Sequence, residues 1–167
     1  MHHDVTEEEL KQARHPHELF LINLIFNHIL MFAASLGVAR SYPLLLLPIP
    51  TFSAAVMLYT LWRARRSLVT DSWFVACHWQ VAARRSRMLL ALLGAVVVVV
   101  AAILLVAGGN PRPQHWALLG GVILPGMVTI LVLIMMETES MQQARQALVP
   151  QWVMDRFPKP ASSAASV

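Results

Sequence analysis

Charged residues are scarce in this chain. Only 13% of its 167 residues are Asp, Glu, Lys or Arg, whereas 57% are hydrophobic. An ordinary soluble domain carries about 25% charged residues, and so few charges cannot cover the surface of a soluble protein of this size. The composition therefore excludes disorder, a nucleic-acid-binding domain and most soluble enzymes. It predicts an all-α integral membrane protein whose first partner is the lipid bilayer.

Several chemical signatures are also missing from the sequence. The single cysteine, Cys77, excludes an intramolecular disulfide and a zinc site built on thiolates. The chain has no Walker loop, no Gly-x-Ser-x-Gly elbow, no His-Glu-x-x-His and no Cys-x-x-Cys. No carboxylate falls inside an apolar segment, which removes the usual proton-coupling group of a small exporter. We therefore expect no catalytic residues, no metal site, no cofactor and no enzymatic activity.

Four apolar segments are each about 20 residues long, which as a helix gives about 30 Å and matches the hydrocarbon core of a bilayer. They predict four transmembrane helices over residues 19–39, 42–62, 88–107 and 116–136. The chain then divides into a leader with a short helix (1–17), a four-helix transmembrane domain with a long loop at 63–87 (18–149), and a partly disordered tail (150–167). Three prolines make the entry to the second segment irregular.

Positive charge is distributed unevenly between the two sides of the predicted bundle. The leader, the 63–87 loop and the tail hold 11 Lys and Arg residues, whereas the other side holds only Arg40 and Arg112. Since Lys and Arg accumulate on the cytoplasmic side of membrane spans, both termini are predicted to be cytoplasmic. The compact loops favour a multi-pass protein of a bacterial inner membrane.

Short amphipathic helices are predicted on this cytoplasmic side. Thr6 and Glu9 form a capping box, so a helix should run to about Arg14, and Pro16 should begin the next one. Asp71 should cap an interfacial helix that continues into the third span. The fourth span should extend as a helix to Leu148, followed by an apolar hook.

Polar residues inside the spans are the first candidate site. Asn23 and Asn27 are four residues apart and share one face of an α-helix, whereas His28 points about 100° away. Matching depths along the spans predicts a polar layer formed by six residues: Asn23, Asn27, His28, Ser53, Tyr59 and Thr129. This layer either fixes helix register through hydrogen bonds or binds a quinone, a lipid headgroup or an ion.

Two arginine clusters flank the long loop and form the second candidate site. They contain Arg63, Arg65, Arg66, Arg84, Arg85 and Arg87. Their charges either set orientation alone, bind anionic lipid or dock an acidic partner.

These observations lead to three functional hypotheses. The first is a non-catalytic accessory or assembly subunit of a larger membrane complex, in contact with other membrane-protein subunits or with further copies of itself. The second is a small oligomeric transporter or channel, suggested by the proline-rich second span and the Gly/Pro-rich fourth span. The third is a quinone- or haem-linked redox subunit. Haem would need a second ligand beside His28, and no other span has a histidine.

Overall fold

The described part of the chain is 85% helical and contains no strand. A computed structural model describes residues 4–39, 41–108 and 110–160. Arg40 lies outside this part, and so does all but the first residue of the end predicted to be disordered, 160–167. The helices are α1 (Glu7–Ile22), α2 (Phe32–Ala39), α3 (Pro48–Thr70), α4 (Trp73–Val106), α5 (Pro113–Arg145) and α6 (Gln151–Arg156). A π-helical segment (Asn23–Met31) joins α1 to α2, and a 3₁₀ turn (Pro43–Leu46) precedes α3.

The helices form four continuous helical stretches, here called rods, that are long and apolar enough to cross a membrane, in agreement with the four predicted spans. The first consists of α1, the π-helical segment and α2, and the others are α3, α4 and α5. α4 has 34 residues, which makes it about 50 Å long, so it exceeds the bilayer core by many residues. Its apolar part follows Arg87, so its first four turns precede that part.

The bundle contains two hydrophobic cores. Within the apolar parts of the rods, Phe20, Leu24, Met57, Leu89 and Leu133 are almost completely buried. The outward side chains of the same rods are apolar, and Val97, Val98 and Val99 are 54%, 68% and 40% exposed. This pattern is typical of a bundle that faces lipid.

The second core lies in what we call the head. The head consists of the first turns of α1, the last turns of α3, the first turns of α4, the end of α5 and all of α6. Its core includes Phe74, Val75, Trp79 and Val153. The Trp73 indole N–H donates to the Phe157 carbonyl over 2.7 Å, which attaches the chain after α6 to the start of α4. The predicted apolar hook thus packs as part of a folded unit.

Local capping agrees with the sequence at the N-terminus. The Thr6 hydroxyl accepts from the Glu9 amide at 3.3 Å, and the Glu9 carboxylate accepts from the Thr6 amide at 2.9 Å, so the predicted capping box is present. Pro16, however, does not begin a new helix, because α1 runs through it. Proline removes one donor, which leaves the Gln12 carbonyl without a helical partner, and Gln12 is exposed to solvent.

Two further predicted boundaries are wrong. Asp71 does not cap α4, because its carboxylate pairs with Arg63 at 2.8 Å and Ser72 takes the N-cap position. The fourth rod ends at Arg145 rather than Leu148. Ala147 adopts a left-handed conformation with φ of 55°, and the Leu148 amide donates back to the Gln143 carbonyl at 2.9 Å. This pattern is a Schellman motif, which ends the helix.

Candidate functional site

The π-helical segment brings three polar side chains of the first rod to one face. Its i→i+5 bonds widen the turn to between four and five residues, so residues four and five apart return to the same side. Asn23, Asn27 and His28 are accordingly only 1%, 4% and 5% exposed. The α-helical spacing assumed from the sequence placed His28 on a different face, and that expectation was wrong because the segment is not α-helical.

These side chains meet Ser53 and the Ile49 carbonyl of α3. The Asn23 amide donates to the Ser53 hydroxyl oxygen at 2.9 Å, and the Asn27 amide donates to the Ile49 carbonyl at 2.8 Å. His28 Nε2 lies 2.7 Å from the Ser53 oxygen. Since that oxygen already accepts from Asn23, its own hydrogen is free to be donated to Nε2 of a neutral His28. We call these four residues, Asn23, Asn27, His28 and Ser53, the polar layer.

Tyr59 and Thr129, the other two residues predicted for this layer, lie elsewhere. The Thr129 hydroxyl donates to the Pro125 carbonyl of its own helix at 2.9 Å. Tyr59 is 44% exposed and its ring lies beside Trp62 and Trp79, with centroid distances of 5.9 and 6.5 Å. Matching depth along the spans does not reveal which way a helix faces, and the described contacts of both residues are with other groups than the layer.

A second buried polar cluster was not predicted. At the junction of the membrane core and the head, His17 of α1, His78 of α4 and Glu137 of α5 are all fully buried. His17 Nδ1 lies 2.6 Å from Glu137 Oε2, and His17 Nε2 lies 3.0 Å from His78 Nδ1. Arg85 lies 3.1 Å from Glu137 Oε1 as an ion pair without aligned hydrogen-bond geometry. We call these four residues the junction cluster, and it links three of the four rods.

The far end of the junction cluster determines where its protons lie. His78 Nε2 is 3.1 Å from the Leu148 carbonyl, which can only accept, so Nε2 carries a hydrogen. His78 lies before the apolar part of α4, and burial lowers its pKa to about 3, with the nearby His17 as a smaller cause. Neutral His78 therefore accepts at Nδ1 from the N–H of His17 Nε2. A short contact then joins His17 Nδ1 to Glu137 Oε2.

The Schellman motif at the end of α5 positions this carbonyl. Leu148 directly follows the left-handed Ala147, and a non-glycine residue in this conformation costs roughly 1–2 kcal/mol. The turn directs the Leu148 carbonyl toward His78. The conformational cost at Ala147 is thus accompanied by a hydrogen bond from the buried His78 imidazole to the Leu148 carbonyl.

The arginine clusters divide into internal and exposed members. Besides Arg85, Arg63 pairs with Asp71 and lies 5.0 Å from the Trp79 ring centroid, and Arg84 lies 4.5 Å from the Trp152 ring. Arg65, Arg66, Arg84 and Arg87 are exposed, whereas Arg63 and Arg85 are partly buried. Four of the six guanidinium groups, those of Arg63, Arg66, Arg84 and Arg85, therefore contact another side chain of this chain.

In the described part of the chain, no group of three or more His, Cys, Asp or Glu side chains is placed to hold a metal ion. Both ring nitrogens of His17 are engaged by Glu137 and His78. Comparison of the sequence with protein-family models and curated proteins, and of the fold with solved structures, finds no match. The functional argument therefore depends on the geometry of this chain.

Proposed function

We propose that this chain is a non-catalytic, multi-pass inner-membrane protein that acts as an accessory or assembly subunit of a larger membrane complex, with its termini in the cytoplasm. The observation that carries the proposal is that the side chains of the polar layer and of the junction cluster form their hydrogen bonds mainly with other helices of the same bundle. Each principal polar contact runs from one helix of this chain to another. Such contacts hold helices in register rather than present groups to a substrate.

The position of the two clusters supports this proposal over transport. His17 and His28 are 11 residues apart on the first rod, which corresponds to about 16 Å along its axis. Both clusters therefore lie within this short stretch of the rod. Toward its other end, the polar side chain described on this rod is Ser35, and its hydroxyl donates to the Met31 carbonyl at 2.6 Å. A solute or proton path needs polar groups through the whole bilayer depth. On the first rod, the buried polar side chains that the structure describes occupy only half of the length.

The outward glycines of the fourth rod support a partner within the membrane. A Cβ atom built on Gly120 or Gly121 would meet nothing within 4 Å. Small residues in membrane helices allow close approach of a neighbouring helix, and this bundle does not use these two for that purpose. A helix from another subunit, or from a second copy of this chain, fits this surface.

The experiment that tests a structural role of the polar layer compares Asn27→Leu and His28→Gln with Ser35→Ala. Interhelical hydrogen bonds in membranes average about 0.6 kcal/mol, so we expect Asn27→Leu to lower stability modestly. His28→Gln keeps an acceptor for the Ser53 hydroxyl. Ser35→Ala removes a bond within one helix and serves as the control. We expect the yield of complex per folded protein to be equal in all three. A variant with unchanged melting temperature and lost complex would overturn the proposal.

A small transporter is the second candidate, and the π-helical segment is the observation that favours it. Irregular helices with inward polar side chains are frequent at functional sites of membrane proteins. Purified protein in vesicles tests this candidate directly through ion and solute flux. Flux that His28→Gln abolishes, while Ser35→Ala leaves it unchanged, would replace the subunit proposal with this one.

A further inference from the structure

A groove on α3 lies where the apolar part of the bundle meets the head. Its cavity volume is about 380 Å³, and its walls are Tyr59, Trp62, Arg63, Arg66, Thr70 and Asp71. The α3 positions are separated by three or four residues, so they form one stripe along the helix. From Tyr59 to Thr70 the stripe is about 16 Å long.

The stripe changes in chemistry along its length. Tyr59 and Trp62 lie toward the apolar part of α3, and both are about half exposed. Arg66 and Thr70 lie toward the head and are exposed. Aromatic rings followed by cationic side chains match the order of groups across a membrane surface, from acyl chains through glycerol to phosphate.

The charges in the groove leave one cation without an acidic partner. Asp71 pairs with Arg63 at 2.8 Å, so these two charges compensate each other. The Arg66 guanidinium lies 5.7 Å from the Trp62 ring centroid, and no carboxylate pairs with it among the residues that the structure describes. The groove therefore has a net positive charge of one, which lies on Arg66 beside the Trp62 ring.

We propose that this groove binds the headgroup of one anionic phospholipid. The Arg66 guanidinium binds the phosphodiester through its planar fork of N–H donors. Trp62 and Tyr59 contact the glycerol backbone and the first methylene groups. A lipid with a single negative charge, such as phosphatidylglycerol, complements the groove, whereas phosphatidylcholine carries an additional cation that Arg66 repels.

The test is native mass spectrometry of the full chain released from nanodiscs that contain equal amounts of phosphatidylglycerol and phosphatidylcholine with identical acyl chains. We expect the wild type to retain one phosphatidylglycerol with at least about five-fold preference, the factor that one interfacial cation supplies. Arg66→Gln should reduce this preference to about one. Arg65→Gln is the matched control, since Arg65 is an exposed neighbour with the same charge that points about 100° away, and it should retain the preference.

Three results would overturn the proposal. Equal losses in Arg66→Gln and Arg65→Gln would indicate diffuse surface charge rather than a site. Displacement of the lipid by millimolar glycerol phosphate would indicate a site for soluble phosphate esters. No preference in the wild type would exclude an anionic headgroup. If Arg66→Gln does not fold, Arg66→Lys replaces it, since lysine keeps the charge but lacks the planar fork of donors. The preference of Arg66→Lys for phosphatidylglycerol should then be weaker than that of the wild type but still present.

Discussion

Glu137 provides the strongest test of the junction cluster, because its fully buried carboxylate contacts both His17 and Arg85. Its Oε2 lies 2.6 Å from His17 and its Oε1 lies 3.1 Å from Arg85. Glu137→Gln keeps the size of the side chain and removes the negative charge. The partly buried Arg85 then has no counter-charge, since no other acidic side chain pairs with it among the described residues.

The expected cost follows from this geometry. Removing one partner of a buried ion pair typically costs about 3–5 kcal/mol, because the other charge remains uncompensated. Arg85 retains 12% side-chain exposure, and the new amide can donate an N–H to His17 Nδ1 while its oxygen faces Arg85, so we expect the low end, about 3 kcal/mol. Glu139→Gln makes the same chemical change at an exposed position two residues away. Its effect should stay within about 0.5 kcal/mol.

The assay is reversible unfolding in mixed detergent micelles, followed by tryptophan fluorescence. A double-mutant cycle with His17→Gln should give a coupling energy of about 1–3 kcal/mol, because the two side chains are in direct contact at 2.6 Å. Equal stabilities for Glu137→Gln and Glu139→Gln, or additive effects in the cycle, would refute the view that the junction cluster holds the rods together.

Further predictions concern pH, thiol reactivity and orientation. Burial lowers the pKa of His78 to about 3, whereas an ordinary histidine has a pKa of about 6.5. Between these two values the unfolded chain binds more protons than the folded chain. Lowering the pH from 7 to 5 should therefore reduce the free energy of unfolding by up to about 2 kcal/mol. His78→Gln should flatten this dependence, whereas the exposed His15→Gln should not; an equal slope in all three would contradict the assignment. Burial raises the pKa of the Cys77 thiol to about 12, so maleimide should leave Cys77 unmodified until the protein unfolds, and labelling of the folded protein would show that the head is open. In intact cells, a thiol reagent added from outside should label Asn110→Cys. It should not label Val69→Cys, although Val69 is 88% exposed in the structure. The reverse pattern would overturn the predicted orientation.

The four long apolar helices could be predicted because their signal is local. Twenty consecutive apolar residues determine a span without knowledge of its neighbours, and the capping box of Thr6 and Glu9 lies within four residues. Boundaries that depend on distant contacts were missed. Asp71 is a good capping residue by type, but the structure pairs its carboxylate with Arg63, eight residues earlier.

The polar layer was only partly predictable. Asn23, Asn27 and His28 stand out because a polar side chain within a span needs a partner. Their common face depends on a π-helical geometry, and no residue pattern in the sequence indicated it. Placing His28 with the asparagines therefore required the structure.

The junction cluster was missed because its partners are 120 and 61 residues apart. One signal was available, since His17 and Glu137 each lie within two residues of a predicted span boundary on the same side. Matching the depth of titratable residues at span ends, and not only within spans, would have paired them. His78 gave no comparable signal, because it precedes its span by ten residues.

The composition of the assembly isolated from its native membrane tests the central proposal most directly. We expect the wild-type chain, extracted in mild detergent, to migrate with at least one other polypeptide or with further copies of itself. Gly121→Leu should disrupt this assembly by blocking close approach on α5, whereas Val98→Leu on the exposed surface of α4 should preserve it. A stable lone chain of 18.6 kDa that carries out solute flux after reconstitution would contradict the proposal.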